Sequence, residues 1–130
     1  MAQQIKIDFI KMDVHDDADN FPNGSGEIFF EFKVDNDVVA VRSRNNPVTV
    51  DSGGSFGINE SHIISREPGQ NFTVFGTVSE ADDVLSGGDD NAGSFQHVFS
   101  SADGFNPGDK SVRLAGDGLD VTVHYKVTLI

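Results

Sequence analysis

The sequence predicts an all-β fold, an antiparallel eight-stranded β-sandwich, on three observations. Apolar and polar residues alternate with period two in segment after segment, while the 3.6-residue period of an amphipathic helix is almost absent. Turn formers separate those segments, including 14 Gly. The acids are 16 Asp against five Glu, and Asp favours caps and turns where Glu favours helix interiors. A length of 130 residues suits one domain, residues 1–130, with enough buried surface to fold without staples.

Each strand follows from its alternation. Ile5, Ile7 and Phe9 alternate with Lys6 and Asp8. Ile28, Phe30, Phe32 and Val34 alternate with Phe29, Glu31 and Lys33, and the turn Asp35-Asn36-Asp37 leads into Val38 to Val41 as a hairpin. Ile58 to Ile64 forms a further strand. Phe72, Val74, Gly76 and Val78 alternate with Thr73, Phe75 and Thr77. Phe95, His97 and Phe99 share a face, so His97 reads as a core or rim residue and not as a ligand. Ser111 to Leu114 is a short strand, and Leu119 to Leu129 closes the chain with a long apolar-polar alternation. Phe29 points away from Phe30 and Phe32 and reads as partner-facing or exposed. Phe21 and Phe105 fall in loops. The runs Ser52-Gly53-Gly54 and Ser86-Gly87-Gly88 are turns, not linkers.

Charge narrows the function. Twenty-one acids stand against nine Lys plus Arg, a formal net charge of −12. That opposes nucleic acid, which needs cations on its phosphates, and it opposes unaided docking on an anionic membrane. No apolar run spans a bilayer, so no transmembrane segment is expected. Zero cysteines exclude disulfides and thiolate metal sites. Met1 to Ile10 alternates and is no signal peptide, which predicts cytoplasmic synthesis, with an extracellular destination by another route left open. The sequons Asn59-Glu60-Ser61 and Asn71-Phe72-Thr73 are read as coincidental. Catalysis is not expected: there is no Gly-x-Ser-x-Gly, no phosphate loop and no cysteine nucleophile, and the loops leave little room for a substrate cleft.

The acids are clustered. Asp13, Asp16, Asp17 and Asp19 follow the first strand, and Glu80, Asp82, Asp83, Asp89 and Asp90 follow the Phe72 strand. Between Arg66 and Lys110 there are eight acids and no Lys or Arg, so the local sequence supplies no counter-charge. Loops of an antiparallel sandwich tend to alternate ends. Counting strands at 5–11, 28–34, 38–43, 58–64 and 72–79 puts both clusters at one end, with Asp51 and Asp117 in neighbouring loops. A full independent strand at Pro47 to Asp51 would flip that parity, but Pro47 has no N–H for a ladder and Gly53-Gly54 interrupts soon after.

Hard cations suit this donor set. Calcium takes six to eight oxygen ligands in tolerant geometry, and magnesium demands a tighter octahedron. Zinc favours nitrogen and sulfur, and His15, His62, His97 and His124 have no zinc spacing. Glu80 and Asp82 lie two apart at a strand end and so face one side. The candidate metal ligands are therefore Asp13, Asp16, Asp17, Asp19, Glu80, Asp82, Asp89 and Asp90, for Ca2+. A twelve-residue loop from Asp16 to Glu27 has Ala18 and Phe21 where an EF-hand needs an oxygen ligand and Gly. Asp89 to Ser94 and Asn45 to Val50 each miss by one the calcium loop of βγ-crystallins.

The predicted strands, the acidic segment after the first of them, and Val78-Ser79-Glu80-Ala81-Asp82 followed by Asp89-Asp90-Asn91-Ala92-Gly93 resemble a C2 domain. Glu80 stands where the family usually has Asp, Ala92 where it has a larger apolar residue, and Asp16 to Pro22 lacks its Ser-Asp-Pro-Tyr pattern. The resemblance implies jaw-like loops that bind calcium and often bridge to a phospholipid surface. The basic strand used for phosphoinositides is absent, so that activity is not implied. Two other readings stand beside it: a sandwich that binds carbohydrate through calcium, disfavoured by the absence of Trp and a single Tyr, and an acidic structural or assembly domain without metal. In that last reading the acids are turn formers only.

Overall fold

The computed structural model describes residues 2–18, 26–81 and 89–130. Nine strands are present: β1 (Gln3–Asp17), β2 (Gly26–Val34), β3 (Asp37–Arg42), β4 (Val48–Val50), β5 (Ser55–Arg66), β6 (Phe72–Glu80), β7 (Asp90–Phe99), β8 (Gly108–Gly116) and β9 (Leu119–Leu129). A one-turn 3-10 helix, Ser101–Asp103, links β7 to β8 and is capped by the Ser100 side chain. The first sheet has the order β5-β1-β9-β8, and the second has β3-β2-β6-β7 with β4 also paired to β2. All pairs are antiparallel.

The strand at Val48–Val50 is one more than the alternation predicted, yet the two acidic segments still share an end. β3 and β4 both run antiparallel to β2, with Phe32 opposite Ala40 and Ile28 opposite Val48. The chain therefore passes from β3 to β4 along one edge of β2 without reversing, and the strand count for parity is unchanged. A second difference concerns the first acids. Asp13, Asp16 and Asp17 belong to β1 itself and do not follow it. β1 is longer than its apolar alternation because two bulges, between Phe9 and Lys11 and between Val14 and Asp16, keep it paired with β9 as far as Asp17 opposite Leu119.

Inward side chains from both sheets form one core. Phe9 of the first sheet stacks on Phe32 of the second with ring centroids 5.3 Å apart, and Phe32 also stacks on Phe30 at 4.9 Å. Tyr125 stacks on Phe95 at 6.0 Å, and Phe72 on Phe99 at 4.8 Å. Gly76 makes this ring packing possible: a Cβ there would lie 2.3 Å from Phe95 and 2.6 Å from Phe32. Phe29 is half-buried on the outer face, as its alternation predicts. Phe105, expected in a loop, is there but buried, with its ring 5.9 Å from Phe72. Phe21 lies outside the described residues.

His97 borders this core. Its Nδ1 meets the hydroxyl of Tyr125, which is fully buried. With the imidazole neutral, Tyr125 donates to Nδ1; a protonated ring offers only an N–H there and turns the hydroxyl proton toward apolar neighbours. Burial, and then Lys110, hold His97 below the ordinary histidine range. The folded state thus takes up fewer protons than the unfolded chain, so this contribution is complete above the unfolded value of about 6.5 and is lost as pH falls below it. Wild type is expected to lose more thermal stability between pH 7.5 and 5 than an H97Q variant. Parallel melting curves of the two proteins across that range would refute it.

Candidate functional site

The end of the sandwich reached by the C-terminus of β1, the start of β2, the turn before β5, the end of β6 and the start of β7 carries the acids. Two carboxylates there are buried: Asp17 is 4 % exposed and Glu80 is 2 % exposed. Among the described residues they are the buried charged side chains. Gly26 accommodates the first of them, since a Cβ at that position would meet the Asp17 Cβ at 2.5 Å and the Val50 carbonyl at 2.7 Å. Glu80 pairs in register with Ile28, two residues beyond Gly26 on the same inward face of β2. β2 therefore brings the ends of β1 and β6 together between the sheets.

The neighbouring backbone is held firmly. The Asp17 N–H donates to Ser52 Oγ at 3.0 Å, and Val14 exchanges backbone hydrogen bonds with Gly53 and Gly54 at 2.7 and 2.9 Å. Asp16 closes a local turn, its Oδ1 accepting from Ala18 N at 3.0 Å. Ala81 N donates to the Glu27 carbonyl at 2.8 Å, extending the β2–β6 contact past Glu80. Asp90, half-buried, faces Glu80 across the β6–β7 ladder. Asp117, in the tight Asp117-Gly118 turn between β8 and β9, accepts from Asn91 N at 3.1 Å.

The remaining sequence candidates separate. Asp13 points outward from the first sheet, where Ser55 Oγ donates to Oδ1 at 2.6 Å and His124 Nε2 lies 2.8 Å from Oδ2. The Ser55 bond, helped by His124 and Lys11, holds its carboxyl below the usual range. Asp89 is gripped by Arg44, whose Nε and Nη2 donate to its two oxygens at 2.8 and 2.9 Å. The expectation that no basic residue serves the second acidic segment is thus corrected for Asp89: the cation comes from 45 residues earlier in the chain. Asp19 and Asp82 lie outside the described residues. Among the described residues, no three His, Asp or Glu are grouped closely enough to hold a metal ion.

No protein-family model matches the sequence, and no curated protein matches it either. Solved structures do. One described as a C2 domain is 14 % identical, with 98 % of this chain and 97 % of that chain covered at a TM-score of 0.53. The C2A domain of plant Extended Synaptotagmin 1 is 12 % identical, with 98 % and 93 % covered at 0.54. The fold is that of a C2 domain. A larger structure of the SMP, C2A and C2B domains of Extended-Synaptotagmin 2 is 16 % identical and covers 98 % of this chain and 27 % of its own, at 0.59.

Within this C2-type fold, the acidic end is where β1 meets β2, and β6 meets β7. Sequence reading located that end through clustering and parity, and included Asp17 and Glu80 among its candidates. It missed that these two are the buried pair, and it missed Gly26 and Arg44. Gly26 carried a faint signal, a small residue opening an otherwise bulky strand; Arg44 carried none. No helix among the described residues is long and apolar enough to cross a membrane.

Proposed function

We propose that this chain is a calcium-binding module of C2 type, a binding domain and not an enzyme. The residues it would use are Asp17 and Glu80, with Asp16, Asp89 and Asp90 of the same end; Asp19 and Asp82, also among the sequence candidates, lie outside the described residues. The observation that carries the reading is the meeting of both acidic segments at one end, with two carboxylates buried between the sheets. In a chain of net charge −12, a divalent ion among carboxylates lowers the repulsion between them. The donor set fits the ion: every side chain named is an oxygen ligand, and none is sulfur or imidazole. Asp13, already committed to Ser55 and His124, is left outside the site.

A bound ion would supply positive charge at an otherwise acidic tip. It would present a surface to anionic groups, a phospholipid headgroup foremost. Isothermal titration of the chain with calcium is expected to show saturable binding that magnesium does not reproduce. E80Q is expected to abolish it or weaken it at least tenfold, since the substitution keeps shape and removes charge. Absence of heat and of saturation with calcium in the wild-type protein would overturn the reading.

A further inference from the structure

The Arg44–Asp89 pair suggests how such a site would be held when no ion is present. Arg44 lies in the segment between β3 and β4, at one edge of the second sheet, and Asp89 immediately precedes β7 at the other edge. Two parallel N–H···O bonds at 2.8 and 2.9 Å make the pair bidentate, the geometry in which a guanidinium fits a carboxylate best. Both side chains remain accessible, 51 % for Arg44 and 33 % for Asp89, so exchange of the partner needs no unfolding. Glu27, on β2 between the two edges, adds a second negative charge near the guanidinium.

We propose that Arg44 is a built-in competitor for the cation: it satisfies Asp89 in the ion-free state and must release it before Asp89 can turn its oxygens to calcium. This rests on the calcium reading above. The arginine fork takes the lone pairs of both oxygens that face outward along the carboxylate plane, the same ones a cation held by both oxygens would use, so the fork and bidentate coordination oppose each other. The latch also ties the strand edges across the sheet, close to the start of β7, where Asn91 N donates to Asp117. Calcium would free that tie as it binds, and so loosen the segment between β3 and β4.

Calcium titration of the full chain tests this with four proteins: wild type, R44Q, R44K and K33Q. Lys33 contacts Glu31 on the same sheet, so K33Q removes one positive charge without touching the latch. R44Q is expected to bind calcium roughly 2- to 5-fold more tightly than wild type, the scale of one exposed ion pair. R44K keeps the charge but loses the fork, and is expected to fall between them; the gap should narrow as potassium chloride is raised. Equal affinity of wild type and R44Q, or an equal gain in K33Q, overturns the latch and leaves the calcium reading standing. Silence in all four proteins overturns both. Far-UV circular dichroism confirms that each variant is folded.

Discussion

Calcium at 100 times its dissociation constant is expected to raise the melting temperature of this protein by roughly 10 °C, with little change in magnesium and none in chelator. An ion that binds only the folded state adds RT ln(1 + [L]/Kd), which is about 2.7 kcal/mol at that ratio. For a domain of this size each kcal/mol moves the midpoint by roughly 3–5 °C. The response should vanish in D17N and E80Q, because Asp17 and Glu80 are the carboxylates lodged between the sheets. It should survive in D13N, whose carboxylate is engaged by Ser55 and His124 on the outer face. Scanning calorimetry in the three buffers decides it. Coincident melting curves would mean that the fold accommodates these carboxylates without an ion, and the calcium site would have to be abandoned.

Phe32→Ala is expected to destabilise the fold by about 3–5 kcal/mol, a large part of the total stability of an ordinary domain. Phe32 is fully buried and contacts rings from both sheets, with Phe9 at 5.3 Å, Phe30 at 4.9 Å and Phe95 at 6.5 Å. Removing it opens a cavity at the centre of the ring cluster, and the β-strand backbones on either side cannot close in without breaking their ladders. Val38→Ala offers the contrast: Val38 is 51 % exposed at the sheet edge and its truncation should stay within about 0.5 kcal/mol. Urea denaturation of both variants measures the difference. A loss below 1 kcal/mol for Phe32→Ala would show that the rings are loosely packed and that the core lies elsewhere.

Much of the architecture was legible in the amino-acid order because a half-buried strand records its inward face with period two. The runs Ile28 to Val34, Phe72 to Val78 and Leu119 to Leu129 became β2, β6 and β9 on that basis alone, with the predicted residues inward except Leu129, which is exposed at the end of β9. β8 is longer than Ser111 to Leu114 because its Gly, Asp and Lys positions are held by pairing with β9 rather than by apolar alternation. β4 was missed for a related reason: three residues are too few for a period to register. The similarity to solved C2 structures bears out the resemblance carried by Val78 to Asp82 and Asp89 to Gly93.

By itself the sequence determined the all-β class, the strand faces, the acidity and its clustering, since each is a property of neighbouring residues or of composition. Only the tertiary structure decided how those parts meet. The direct passage from β3 to β4 puts both acidic segments at one end, and Gly26 leaves the space in which Asp17 sits. Arg44 reaches Asp89 across 45 residues of chain, and Ser55 with His124 withdraws Asp13 from the acidic end. These pairings join residues distant in the chain, and no local period, spacing or propensity encodes them; they exist only once hydrophobic burial has brought the sheets face to face.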